Sequence, residues 1–206
     1  MPRILNYDRI YSKVLSDPAV QRYAKEVAER KMAQFKKEMI EEFEKDEITR
    51  ELRNPAGGNI SNTLDGKDNK SLFGFIGFEA GSNPVQKVRE QLEQTHLEQE
   101  GISKGNLVKQ IRFKIKYPSF KEIAAENPLP FEGGRSWIYG IERGISGFGS
   151  FLAGFFKGKG FSRSEQGIQL KEEDGSPLVI RTGSFKPRRY ISRILENFRN
   201  KWLQLK

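Results

Sequence analysis

Three groups of side chains in this sequence have types and spacings that invite chemistry: a glycine-rich stretch, a lone histidine among glutamates, and clustered basic residues. The stretch GISGFGSFLAGFFKGKG, residues 144–160, has the composition of a phosphate-binding loop. A dinucleotide loop beginning at Gly147 and Gly149 requires Gly or Ala at position 152, where Leu152 stands. A Walker-type loop ending at Gly158 and Lys159 requires glycine at position 153 and Ser or Thr at position 160; the residues there are Ala153 and Gly160. The missing hydroxyl is the group that would hold magnesium. Nucleotide binding is therefore not expected of this stretch, and no cofactor is expected of the chain. What remains is an aromatic stripe: Phe148, Phe151, Leu152, Phe155 and Phe156 fall on one helical face. Such a stripe either fills the core or meets another subunit. Gly147, Gly149 and Gly154 weaken a helix by ~1 kcal/mol each relative to alanine, which suits a segment that orders on contact. The five residues are the candidate interface with further copies or partners.

His96 is the only histidine, and the chain contains no cysteine. Disulfides, thiolate metal sites and cysteine nucleophiles are excluded, as is a multi-histidine metal site. At helical spacing His96 would stand near Glu93 and Glu100, a set that reads as a charged helix face rather than a metal site. The run Glu41, Glu42, Glu44, Asp46 and Glu47 lacks the alternating spacing and turn glycine of a calcium loop and reads as a solvated helix end. No catalytic carboxylate pair is identifiable, so no catalytic or metal-ligating residue is assigned and enzymatic activity is not expected.

The net charge of +9 is unevenly spread. Residues 1–100 hold 16 Lys and Arg against 18 Asp and Glu, whereas residues 101–206 hold 20 against 9. The second half is suited to an acidic neighbour, either nucleic acid or a negative protein surface. Its candidate contact residues are Arg112, Lys114 and Lys116 on one strand face, Lys157, Lys159 and Arg163 beside the glycine-rich stretch, and Arg188, Arg189 and Arg193 opening the last helix. Clustering of this kind neutralises phosphates. The aromatics of the strand point away from its lysines, however, so they do not make a base-stacking platform.

Elements must hold these groups in place. Asp17 and Pro18 open a long amphipathic helix expected from residue 18 to about residue 52, roughly 50 Å at 1.5 Å per residue. That exceeds what a small core needs, so its end projects or another subunit covers it. The polar segment 54–71 is expected to be a mobile loop, and LFGFIGF, residues 72–78, a short buried strand. Asn83 and Pro84 open a second helix with Val85, Val88 and Leu92 on its inner face and Gly101 as its stop. QIRFKIKY alternates apolar and basic residues as a half-buried strand does, and Pro118 ends it. GIQLKEEDGSPLVIRT suggests a hairpin about Asp174 and Gly175, and Ile191, Ile194, Leu195, Phe198 and Trp202 form the stripe of a last helix. The expected class is α+β, an antiparallel sheet packed with a long N-terminal helix, a second helix and a C-terminal helix. The expected organisation is one domain over 1–206 with a helical arm at about 18–52 and flexible loops at 54–71 and 144–166. The N-terminus lacks the apolar core of a secretory signal, and the uncharged run 144–156 falls short of the ~20 residues that span a bilayer. A cytoplasmic setting without membrane contact is expected.

The block ELRNPAGGNISNTLDGKDNKSLFGFIGFEAGSNP, the strand FKIKYPSF, and the segments PLPFEGGRSWIYGIERGISGF and FSRSEQGIQLK resemble virion proteins of tailed bacteriophages. The likeness is to the neck and tail-completion (tail-terminator) type and runs from about Glu51 to the C-terminus. The resemblance implies a non-enzymatic structural protein of the head–tail connection, assembled in the host cytoplasm as a homo-oligomeric ring. It further implies a connector or stopper on one side, tail-tube or sheath subunits on the other, and DNA passing through the lumen. Dense positive charge would retain that DNA, so the basic residues are expected at subunit interfaces or on the ring exterior. The alternative is a basic nucleic-acid-binding module.

Overall fold

Asp17 and Pro18 act as their chemistry predicts. The Asp17 carboxylate accepts a hydrogen bond from the Ala19 amide at 2.8 Å, and Pro18 occupies the first helical position, where its missing N–H costs nothing. The computed structural model describes residues 7–64, 71–104, 109–130, 132–144 and 185–205. Among these the architecture is α+β, with eight α-helices and two small antiparallel sheets. The helices are α1 (Tyr7–Leu15), α2 (Pro18–Lys45), α3 (Glu47–Arg53), α4 (Leu72–Ile76), α5 (Pro84–Glu93), α6 (Phe120–Ala125), α7 (Trp137–Arg143) and α8 (Ile191–Leu203). Strands β1 (His96–Lys104) and β2 (Lys109–Lys116) form one sheet, and β3 (Pro128–Leu129) and β4 (Glu132–Ser136) the other.

The long first helix does not reach residue 52. It breaks at Asp46, whose backbone is extended (φ −61°, ψ 135°) and whose carboxylate caps α3 by accepting from the Ile48 amide at 2.8 Å. A short acidic side chain that can bond the backbone competes with helix continuation. Here Arg193 fixes the outcome by binding the other Asp46 oxygen at 2.6 Å. LFGFIGF is likewise a helix, α4, and not a strand. Ser71 caps its start, and Gly77 ends it in the left-handed region (φ 85°). Its continuous apolar run reflects burial on most sides, which periodicity cannot distinguish from a buried strand. Gly101 stops no helix either: α5 ends at Glu93, and residues 96–104 pair with β2. Gly101 sits at a bulge beside Gln99 with φ 108°, a conformation that glycine adopts freely.

The core gathers the inner faces of α2–α8. Met32, Phe35, Met39 and Phe43 of α2 meet Ile191, Ile194, Leu195 and Phe198 of α8, with Trp137 of α7 and Val85, Val88 and Leu92 of α5 alongside. Phe43 stacks on Tyr190 with centroids 6.1 Å apart. The buried Tyr190 hydroxyl lies 2.6 Å from Thr49 Oγ1, and burial pushes the pKa of this phenol well above its ordinary value. Contacts with Asp46, Glu42, Glu38 and Phe35 follow one another along α8 from Arg193 to Trp202, so α8 runs antiparallel to α2.

Segment 54–64, expected to be mobile, is tied down through its polar groups. The Asn59 side chain donates to Leu64 O and accepts from the Thr63 amide, and buried Ser61 and Thr63 hydroxyls lie 2.8 Å apart. The Glu51 carboxylate, itself fully buried, accepts from the amides of Ser61 and Leu72. Polar residues need little apolar area to order when they satisfy one another and a buried acid. Beyond residue 184 the chain returns to this segment. Leu64 bridges Phe185, the Lys186 amide donates to Thr63 O at 2.8 Å, and Phe185 stacks on Phe75. The start of α8 has no cap of its own; Glu142 of α7 supplies one, accepting from the amides of Tyr190 and Ser192 at 3.1 and 2.8 Å.

Candidate functional site

The acidic run is not a solvated helix end. It forms one wall of an open groove of about 460 Å³ whose other wall is the start of α8 and the residues before it. Arg193 binds Asp46 at 2.6 Å and Glu42 at 3.3 Å, Lys201 binds Glu38 at 2.6 Å, and Arg188 pairs with Glu47. Asn197 donates to Glu42 at 2.8 Å, and Arg53 pairs with Glu44 on the neighbouring face. The hydrogen bond from Lys201 lowers the Glu38 pKa below its ordinary value, and that from Arg53 does the same for Glu44. With each carboxylate matched by a cation, the groove is an electrostatic seam that runs beside the apolar contact of α8 with α2. The isolated sequence hid this seam because its two halves lie about 150 residues apart.

A pH dependence follows. Carboxylates whose folded pKa is depressed contribute stability that is present above their unfolded value and lost as pH falls through the folded one. The melting temperature is expected to be level above pH 5 and to fall below the ordinary glutamate value of 4.5. Glu44→Gln, which cannot titrate, is expected to flatten that fall when melting is followed from pH 6 to pH 3. The Glu38 and Glu44 pairs are partly open to solvent, so each contributes little.

The predicted basic surface is thereby divided. Arg188 and Arg193 are spent on the seam, and Arg189 binds Glu196 of its own helix at 2.6 Å. Arg112, Lys114 and Lys116 do share one face of β2, opposite the half-buried Ile111, Phe113 and Ile115. Lys116 reaches Glu98 on β1 at 3.5 Å, while Arg112 and Lys114 have no ion pair among the described residues. His96 lies on β1, not on a helix. Its Nδ1 meets Gln94 O at 2.8 Å and its Nε2 lies 3.6 Å from Glu98. Among the described residues no group of three His, Asp or Glu side chains is placed to hold a metal ion. Phe148, Phe151, Leu152, Phe155, Phe156, Lys157, Lys159 and Arg163, and the hairpin about Asp174, lie outside the described residues.

A different apolar surface is present. Every exposed large hydrophobic side chain among the described residues lies on α1, the first half of α2, or the end of α8: Ile10, Tyr11, Val14, Tyr23, Val27, Leu203 and Leu205. Tyr23 is 65% exposed and Tyr11 59%, values that leave most of each ring in water. α8 ends level with Phe35, so residues 18–31 of α2 extend roughly 20 Å beyond it at about 1.5 Å per residue. Tyr23 and Val27 belong to the stripe expected of the long helix. Ile10, Tyr11 and Val14 were missed from the sequence; the signal for them is the short amphipathic pattern within RIYSKVL.

No known protein family matches this chain, and no curated protein or solved structure is significantly similar to it.

Proposed function

We propose that the chain is a non-enzymatic assembly subunit, a virion protein that joins phage head and tail as a ring-forming oligomer. The concentration of exposed apolar side chains on the N-terminal arm and the adjoining end of α8 supports this reading. Isolated exposed hydrophobics are normal, but their confinement to one projecting part of a fold is what an interaction surface requires. A neck or tail-terminator role adds connector or stopper proteins on one side and tube or sheath subunits on the other.

Native mass measurement with negative-stain imaging tests this directly. The wild-type chain is expected to form closed multimers. Tyr23→Asp with Val27→Asp is expected to keep the melting temperature within a few degrees and to leave monomers. A wild-type protein that stays monomeric at every concentration would remove the reading.

One observation favours a second reading, a nucleic-acid-binding module: Arg112 and Lys114 are exposed on one strand face and have no ion pair among the described residues. Titration of a labelled oligonucleotide at rising salt separates the two, since phosphate contacts weaken steeply with salt. The loss of Arg188, Arg189 and Arg193 to internal pairs reduces the charge left for that role.

A further inference from the structure

The β1–β2 hairpin is paired on its inner sides only: among the described residues its sheet ends at two strands. Two strands alone are marginally stable, and each outer edge presents backbone N–H and C=O groups that a further strand can bond. The two edges differ in charge. β2, KQIRFKIK, contains four basic residues and no acid, whereas β1, HLEQEGISK, contains two glutamates and one lysine. On the solvent-facing side Glu98 stands directly across from Lys114 in the register, and Lys116 holds it diagonally at 3.5 Å. Arg112, across from Gly101, has no acid opposite it.

These facts decide between the ways in which two copies can meet by strand addition. Pairing β2 with β2 of another copy sets two cationic strands side by side. Pairing β1 with β1 brings glutamates together. Like charges directly across a strand pair are destabilising and opposite ones stabilising, by roughly 0.2–1 kcal/mol per pair. Only β1 against β2 alternates the charge, with Glu98 of one copy beside Arg112 and Lys114 of the next, Arg112 being the one with no acid across from it in its own hairpin.

We infer that copies of this chain join head to tail by strand addition, with β1 of each copy extending the sheet at β2 of its neighbour. Strand direction agrees. β1 and β2 are antiparallel, and in a cyclic assembly every β1 points the same way about the axis, so each new junction is antiparallel too. A head-to-tail contact of this kind closes into a ring when its rotation divides a full turn. α1 packs against β2 and brings the exposed Ile10, Tyr11 and Val14 to the β2 side of the hairpin, where an arriving copy covers them. The inference rests on the reading of the chain as a self-assembling subunit and adds a strand contact to the apolar arm surface through which it assembles.

Charge reversal tests it. Glu98→Lys alone and Lys114→Glu alone are each expected to shift the native mass from multimer to monomer. An equal mixture of the two is expected to restore multimers, because each altered edge then meets a complementary one. Thermal melts check that both variants remain folded. Should either unfold, single-cysteine variants decide, since the wild-type chain has no cysteine. With a short bismaleimide, Glu98→Cys mixed with Lys114→Cys is expected to give crosslinked dimers, and neither variant alone is. Crosslinking of one variant with itself would overturn the head-to-tail direction. A wild-type multimer that both reversals leave intact would overturn strand addition while the assembly reading stands. A wild-type monomer would overturn both.

Discussion

Replacing Glu51 with alanine is expected to destabilise the fold by about 4 kcal/mol, because it leaves two buried backbone donors without an acceptor. Glu51 is wholly inaccessible, and its two oxygens receive the amides of Ser61, at 2.7 Å, and Leu72. Those amides belong to segments on either side of residues 65–70, so one side chain anchors both. Water cannot replace it without entering a fully buried site. Glu51→Gln keeps one acceptor but turns an N–H₂ toward the other amide, so about half the loss is expected. Urea unfolding followed by tryptophan fluorescence measures both. A loss below about 1 kcal/mol for Glu51→Ala would show that the two amides find other partners.

Phe43→Ala is expected to be of similar size, about 3–5 kcal/mol, for an unrelated reason. Phe43 is fully buried at the meeting of α2 with α8, and its ring lies against Tyr190. Truncation removes the transfer free energy of the ring and leaves a cavity that two helices held by ion pairs are poorly able to close. It also loosens Tyr190, whose hydroxyl depends on that position to reach Thr49. Phe43→Leu keeps most of the volume and is expected to cost less than half as much in the same measurement. Equal losses for the two substitutions would mean that ring stacking, rather than filled space, is the dominant contribution.

The elements that local chemistry determines were legible in the sequence. Asp17 with Pro18, Pro84 at the first position of α5 (where Asn83 makes no side-chain cap), the alternation in QIRFKIKY and the stripe from Ile191 to Trp202 each mark their own element. Elements decided by distant partners were not. Asp46 reads as one more acid in a helix until Arg193, 147 residues away, is seen to hold it. LFGFIGF reads as a strand because burial makes its pattern uniform, and β1 is hidden because HLEQEGISK has weak alternation of its own and takes its form from β2. The same reason separates the candidate surfaces. Counting basic residues found Arg112 and Lys114, but only the folded chain shows that Arg188, Arg189 and Arg193 already face carboxylates. Exposure of Tyr23 and Val27 is visible only in the folded chain, where α8 ends level with Phe35.

The seam between α2 and α8 has a bearing on how the protein is made. The apolar row from Met32 to Phe43 leaves the ribosome long before Ile191 to Phe198, the residues that shield it. At typical elongation rates of about 5–20 residues per second, that row waits on the order of ten seconds without its partner. Contacts so far apart along the chain also close slowly. The nascent polypeptide therefore passes through an interval in which the apolar face of α2 is bare, and that interval is when chaperone protection would matter most.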